Sequence, residues 1–216
     1  MRRGMPWIGA VVLALVTTAC PHLGDQASKK APSLPTPQPP EKRPAQRQDG
    51  DFRWSHWGEN RTAVKASEEG ASIEEGTEAI SLKAEIAGLN SDVVYSFVDD
   101  RLVGGAYLIN SPHMNANLYI DEFRTLKGLL TDKYGKPSVD RTAWSDDLYR
   151  NDPQHWGTAV SAGHVAFIAG WKQPETEIQL ILRGDNFKVQ LGAIYKSIKL
   201  AKLVESTSKK KALKGL

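Results

Sequence analysis

Apolar and polar residues alternate along much of the chain between residues 80 and 195, a pattern typical of half-buried β-strands. In the first such stretch Ile80, Leu82 and Ala84 fall on one face, and Ser81 and Lys83 fall on the other. Turn-forming residues separate several of the stretches, so that neighbouring strands can pair as hairpins. The pattern predicts strands over residues 80–86, 93–98, 102–109, 164–171, 176–182 and 187–195.

One stretch instead has the three- and four-residue spacing of an amphipathic helix, and it predicts a helix over residues 118–134. We expect Asn117 to cap the start of this helix through its side chain. Gly135 and Pro137 are the residue types that end a helix, and they follow directly. The apolar stripe that indicates the helix consists of Tyr119, Phe123, Leu126, Leu130 and Tyr134.

Weaker patterns predict short helices over residues 60–69 and 196–205. Strands grouped around one main helix, without strict alternation of strand and helix, favour an α+β fold over a parallel α/β fold. We therefore expect an antiparallel sheet of five to six strands packed against one main helix. This sheet and helix would form a single globular domain over residues 51–205, which is long enough to bury a sizeable core.

The N-terminal residues have the pattern of a secretory signal peptide. Arg2 and Arg3 precede an apolar run over residues 8–19, and Cys20, the only cysteine of the chain, follows it. A cysteine at this place resembles the lipobox of bacterial lipoproteins, in which the cysteine becomes the acylated first residue. The resemblance implies a signal peptide over residues 1–19, lipidation of Cys20 and anchoring through acyl chains such as palmitate.

Two other interpretations of Cys20 stay open: a signal peptide cut elsewhere that leaves a free thiol, and an uncleaved anchor. The apolar run has twelve residues, fewer than the roughly 20 that a membrane-spanning helix needs. The lipoprotein resemblance implies location in the bacterial cell envelope, with a membrane anchor, and we expect the outer membrane rather than the inner one.

Composition divides the rest of the chain into a tether, a domain and a tail. Residues 21–50 contain seven prolines and few large apolar residues, so we expect a disordered tether over residues 20–50. Residues 51–195 carry 14 basic and 21 acidic groups, a net charge of −7, whereas residues 196–216 carry seven lysines and one glutamate. We expect residues 206–216 to form a disordered basic tail.

Short motifs in the domain resemble a known group of proteins. Phe52-Arg53-Trp54 and Trp57-Gly58 precede paired strands, and the main helix ends in Lys133-Tyr134-Gly135-Lys136-Pro137 before the closing hairpins. This order resembles small periplasmic lipoprotein domains related to the outer-membrane-assembly lipoproteins and to the β-lactamase-inhibitor-protein fold. Those families are mostly binding modules, so the resemblance implies a non-catalytic binding or structural role.

Motifs of catalysis and cofactor binding are missing from the sequence. It contains no nucleophile elbow, phosphate-binding loop or calcium loop. Its domain histidines, at positions 56, 113, 155 and 164, lack the spacing of metal ligands. We therefore expect no metal and no cofactor. The candidate binding residues are Trp144 and Trp156 with Asp146 and Asp147 between them, because indoles are enriched at binding hot spots. Solvated turn acids beside core tryptophans are the alternative interpretation.

These observations favour a lipid-anchored, non-catalytic binding or structural module of the bacterial cell envelope that engages a protein partner. The acidic charge of the domain argues against nucleic acid as a partner. Two alternatives stay open. One is an envelope enzyme that acts on glycans through paired carboxylates. The other is a cell-wall or lipid-headgroup binder that uses the lysine tail.

Overall fold

Eight β-strands form one antiparallel sheet in the computed structural model, which describes residues 50–214, with side chains up to residue 213. The predicted signal peptide, Cys20 and the tether up to residue 49 lie outside the described residues. The elements are α1 (Arg61–Ser67), β1 (Ile73–Glu75), β2 (Ala79–Ile86), β3 (Leu89–Val98), β4 (Arg101–Ile109), α2 (Asn117–Tyr134), β5 (Val139–Trp144), a 3-10 turn (Pro153–His155), α3 (Trp156–Ser161), β6 (Val165–Lys172), β7 (Thr176–Asp185), β8 (Lys188–Ser197) and α4 (Ala201–Lys214).

The strands follow the order β1-β2-β3-β4-β8-β7-β6-β5 across the sheet. A helix followed by four antiparallel strands occurs twice along the chain, first from α1 to β4 and then from α2 to β8, with the 3-10 turn and α3 inserted between β5 and β6 of the second unit. The last strands of the two units, β4 and β8, pair with each other and join the halves, with Gly105 opposite Tyr195 and Ala106 opposite Ile194. We call this strand pair the seam.

The α+β class and the single antiparallel sheet are confirmed, but the predicted number of five to six strands is wrong. The two strands that the alternation pattern misses are β1 and β5, and they lie at the two edges of the sheet. An edge strand has a partner on one side only and needs charged or polar residues to discourage further pairing. Five of the six β5 residues are exposed, so this strand carries no alternation of apolar and polar residues.

The main helix is confirmed, and it buries Ile120, Phe123, Leu126 and Leu130 against the sheet. The predicted cap is wrong, because Asn117 makes no capping hydrogen bond. Its side chain instead accepts a hydrogen bond from the Gly157 backbone N–H at 2.7 Å and donates one to the Gln154 carbonyl at 2.8 Å. A residue type suited to capping is thus used to attach α3 to the start of α2.

The C-terminal part of the chain differs from expectation at two places. Residues 196–197 end β8, so the helix predicted from residue 196 begins at residue 201. Residues 206–214, expected in a disordered tail, continue the same helix α4. Alanine, leucine and lysine have high helix propensity, which accounts for this extension. An ion pair between Lys211 and Glu78 also holds α4 beside the start of β2.

One face of the sheet carries the hydrophobic core. At the seam this face is covered by Phe52, whose ring centroid lies 5.1 Å from those of Tyr95, Tyr107 and Tyr195. Phe52 is 1% exposed, so the segment before α1 is part of the core. Within the described residues, no helix is both long and apolar enough to cross a membrane.

Candidate functional site

The second face of the sheet, opposite the core, is aliphatic at its centre. Successive side chains of a strand point to opposite faces, so the residues between the buried core positions share this second face, which we call the open face. On the open face, two adjacent rows of paired residues cross the five strands β3, β4, β8, β7 and β6. The second of these rows starts at Asp92 of β3. The first row consists of Val94, Ala106, Ile194, Gln179 and Gly170, and the second continues with Leu108, Gly192, Ile181 and Ile168.

A groove of about 900 Å³ lies on the open face. Its floor comes from β4 and from β8 through β5, and it includes Gly104, Ile168 and Gly170. The first turn and a half of α4 forms one wall through residues such as Val204. An added Cβ at Gly170 would meet Val139 Cβ at 3.5 Å, an ordinary contact. The backbone at position 170 does not need glycine, and the absence of a side chain there makes the groove deeper.

Charged side chains of both signs border the groove at the end near α4. Glu177 lies opposite Lys196 on one side and opposite Lys172 on the other, and Glu205 of α4 also lines the groove. Glu177 therefore lies between two lysine positions on neighbouring strands. Among the residues that the structure describes, no three histidine or acidic side chains are grouped as metal ligands.

The structure brings the two predicted binding tryptophans together. The rings of Trp144 and Trp156 meet edge to face, with centroids 5.8 Å apart and an interplanar angle of 68°. Both rings are partly buried and pack against the core, and the Trp156 indole N–H donates to the Arg150 carbonyl at 3.2 Å. We call residues 144–156 the aromatic loop. None of its residues lines the groove.

The two predicted binding aspartates are exposed and bonded within the aromatic loop. Asp146 accepts a hydrogen bond from the Leu148 backbone N–H at 2.8 Å. Asp147 forms an ion pair with Arg150 at 3.1 Å. The geometry supports a role of both carboxylates in shaping the loop. Whether the four predicted residues also bind a partner stays a prediction.

A buried charged cluster beside the seam was not expected from the sequence. Arg53 donates from Nε and Nη2 to the two carboxylate oxygens of Glu68, at 2.6 and 3.0 Å, and the Tyr95 hydroxyl also donates to Glu68. Burial disfavours the charge of Arg53, but the hydrogen bond and charge of Glu68 outweigh it and raise the pKa of Arg53. Burial, reinforced by Glu68, also raises the pKa of Tyr95. The two hydrogen bonds between Arg53 and Glu68 hold the segment before α1 in place. Because Glu68 is only 5% exposed, its carboxylate is not accessible to a substrate.

A histidine–glutamate pair lies at the start of α2. His113 Nε2 and Glu122 Oε1 are 2.6 Å apart, and the His113 ring packs edge to face on Tyr119. The second oxygen of Glu122 is buried without a hydrogen-bond partner among the described residues. Two ligating groups are too few for a metal site. The pair instead connects the segment before α2 to the helix itself.

The groove could have been anticipated from one feature of the sequence. Residues 165–171 of β6 are apolar or glycine without interruption, and a strand that is apolar on both faces needs cover on both faces. The alternation in β7 and β8 indicates the core face alone. No protein-family model matches the chain, and no match was found among curated proteins or solved structures.

Proposed function

We propose that the protein is a lipid-anchored, non-catalytic binding module of the bacterial cell envelope, and that a protein partner binds its open face. The observation that carries this proposal is the aliphatic groove on the open face. A two-layer α+β fold buries only one face of its sheet, so polar side chains would suffice on the other. Here that other face presents Ile168, Ile181 and Ile194.

The shape and chemistry of the groove favour a protein over a small molecule. The groove is lined by residues of six strands, and it combines an aliphatic centre with charges of both signs at one end. An apolar core with a polar rim is the usual composition of a protein interface. Glycines in a strand allow another backbone to approach closely, and Gly104 and Gly170 lie in the floor.

Lipid anchoring rests on the lipobox resemblance at Cys20, and the intact mass of the protein from its native membrane tests it. We expect a mass equal to the chain from Cys20 onwards plus acyl groups. A mass without lipid, or one that includes residues 1–19, would contradict the anchor.

Site-specific photocrosslinking in the native cell tests the binding surface. A photoreactive residue at position 168, on the groove floor, should give one dominant adduct with another protein. The same residue at position 129 serves as control, because Leu129 is 49% exposed on α2, at the opposite face of the molecule. Equal adducts from both positions, or none from position 168, would contradict the proposed surface.

Filling the groove should abolish this adduct. Gly170→Leu adds a side chain over the floor without a backbone clash, since the nearest atoms to an added Cβ lie at 3.5 to 3.9 Å. Gly128→Leu is the matched control, because Gly128 lies on α2 with no atom within 4 Å of an added Cβ. We expect the adduct at position 168 to disappear with Gly170→Leu and to persist with Gly128→Leu.

A further inference from the structure

The C-terminal helix α4 carries a concentration of positive charge that the rest of the domain does not neutralise. Residues 201–214 contain five lysines and one glutamate. Lys211 pairs with Glu78, whereas Lys202, Lys209 and Lys210 are exposed and have no ion pair among the described residues. Leu213 is 62% exposed beside them. The second half of α4 thus presents lysines and one large apolar side chain to solvent.

Trp57 and Gly58, which precede α1, lie at the end of the sheet at which α4 begins. Trp57 donates its indole N–H to Thr176 Oγ1, at the start of β7, at 2.9 Å. The Gly58 backbone N–H donates to the Leu102 carbonyl at 2.9 Å. An added Cβ at Gly58 would lie 4.0 Å from Leu200 Cδ1, just before α4. Residues 57 and 58 and the residue just before α4 therefore lie together at one end of the sheet.

From this arrangement we infer that the second half of α4 docks on a membrane surface of anionic phospholipid. The inference rests on the proposed lipid anchor, which would keep the domain within reach of a lipid surface. Each lysine close to such a surface strengthens binding about five-fold. The attraction acts within a Debye length of about 8 Å at physiological salt, so these lysines can act although residues 51–195 carry a net charge of −7.

Membrane docking of α4 also has a consequence for the groove. Ala201, Val204 and Glu205 of the same helix line the groove. Docking through Lys209 and Lys210 would therefore hold the groove beside the lipid surface. This position suits a binding module whose partner is itself associated with the membrane.

Vesicle co-sedimentation tests the inference. The protein is the chain from residue 20 onwards with Cys20→Ala, which removes the acylation site and keeps the whole compact unit of described residues. The probes are vesicles of phosphatidylglycerol mixed with phosphatidylcholine, and vesicles of phosphatidylcholine alone. We expect binding to the anionic vesicles only, and a decrease in this binding as the salt concentration rises.

Two pairs of substitutions locate the contact. Lys209→Ala with Lys210→Ala should lower the vesicle partition coefficient at least about ten-fold, while alanine preserves the helix. The control removes the same charge elsewhere, with Lys136→Ala and Lys188→Ala, two exposed lysines outside α4. Circular dichroism checks that all variants are folded.

Three results would overturn the inference: equal binding to both kinds of vesicle, no binding to either, or equal losses in the two pairs of variants. Binding to soluble polyphosphate without binding to vesicles would overturn the assignment to a membrane surface as well. Because Cys20 is replaced throughout, failure here leaves the lipid anchor to be judged by the intact mass.

Discussion

The ring of Phe52 packs directly on the backbone of Gly105 at the seam between the two halves of the sheet. An added Cβ at position 105 would overlap the Phe52 ring, so this place in β4 requires glycine. The ring fills the space that a side chain would otherwise occupy, and Tyr95, Tyr107 and Tyr195 surround it. The segment that follows the tether is therefore fixed to the centre of the domain.

We predict that Phe52→Ala lowers the free energy of unfolding by about 3 to 5 kcal/mol, because it leaves a cavity in the core. Urea denaturation followed by circular dichroism measures the change. Phe187→Ala is the matched control: Phe187 is 74% exposed in the turn between β7 and β8, and its replacement should change the value by no more than about 0.5 kcal/mol. Similar losses in the two variants would show that Phe52 is not part of the core.

The same pair of residues can be tested by a double-mutant cycle. Gly105→Ala alone should destabilise by about 1 to 3 kcal/mol through overpacking against the ring. In the Phe52→Ala background the added methyl has space, so its cost should fall, giving a coupling of about 0.5 kcal/mol or more. Additive effects would mean that the ring and the glycine are not in contact.

The ion pair between Arg53 and Glu68 predicts a large effect of removing one charge. Glu68→Gln keeps the shape of the side chain but leaves the partly buried guanidinium without its counter-charge, which should cost about 3 to 5 kcal/mol of unfolding free energy. Glu75→Gln breaks the exposed pair with Lys65 at 2.8 Å and should have no measurable effect. If the two variants unfold at the same urea concentration, the buried pair does not fix the segment before α1.

We predict that the protein loses stability steeply in alkaline solution. Burial raises the pKa of Tyr95, Tyr107 and Tyr195, whereas the unfolded chain has a tyrosine pKa of about 10. Below that value the folded and unfolded states bind the same protons at these sites. Above it the unfolded state releases protons that the folded state keeps, so each tyrosine removes up to about 1.4 kcal/mol of stability per pH unit.

Urea denaturation between about pH 9 and pH 11 measures this slope, and tyrosinate absorbance of these three residues should develop only on unfolding. Tyr195→Phe provides the internal comparison, because it removes one titrating group and keeps the ring. We expect its stability to decline less steeply with pH than that of the parent protein. Identical slopes would contradict the assigned role of burial at Tyr195.

For the aromatic loop we predict an effect on stability that is separate from partner binding. Trp156→Ala removes a ring that packs on Trp144 and Phe167 and should cost about 2 kcal/mol or more. Asp146→Asn with Asp147→Asn should leave the crosslink from position 168 unchanged, since neither residue lines the groove. Loss of that crosslink in the double variant would instead favour the aromatic loop as the binding surface.

Local patterns were sufficient to predict the elements that bury one face. The stripe from Phe123 to Leu130 predicted α2, and alternation predicted inner strands such as β2, β3, β7 and β8, because burial on one side makes apolar residues recur at regular spacing. This regular spacing is missing from β1 and β5, whose edge positions expose most of their side chains. These strands were found only in the structure.

The sequence by itself determined the fold class, the main helix, the six inner strands and the acidic charge of the domain, since each depends on neighbouring residues or on composition. Tertiary structure alone decided the strand order, the seam with Phe52 on Gly105, the pairing of Arg53 with Glu68 and the groove on the open face. These features depend on contacts between residues far apart in the chain, such as Phe52 and Gly105. The spacing of apolar residues indicates which side chains are buried. Only the folded chain specifies which residues pack against them.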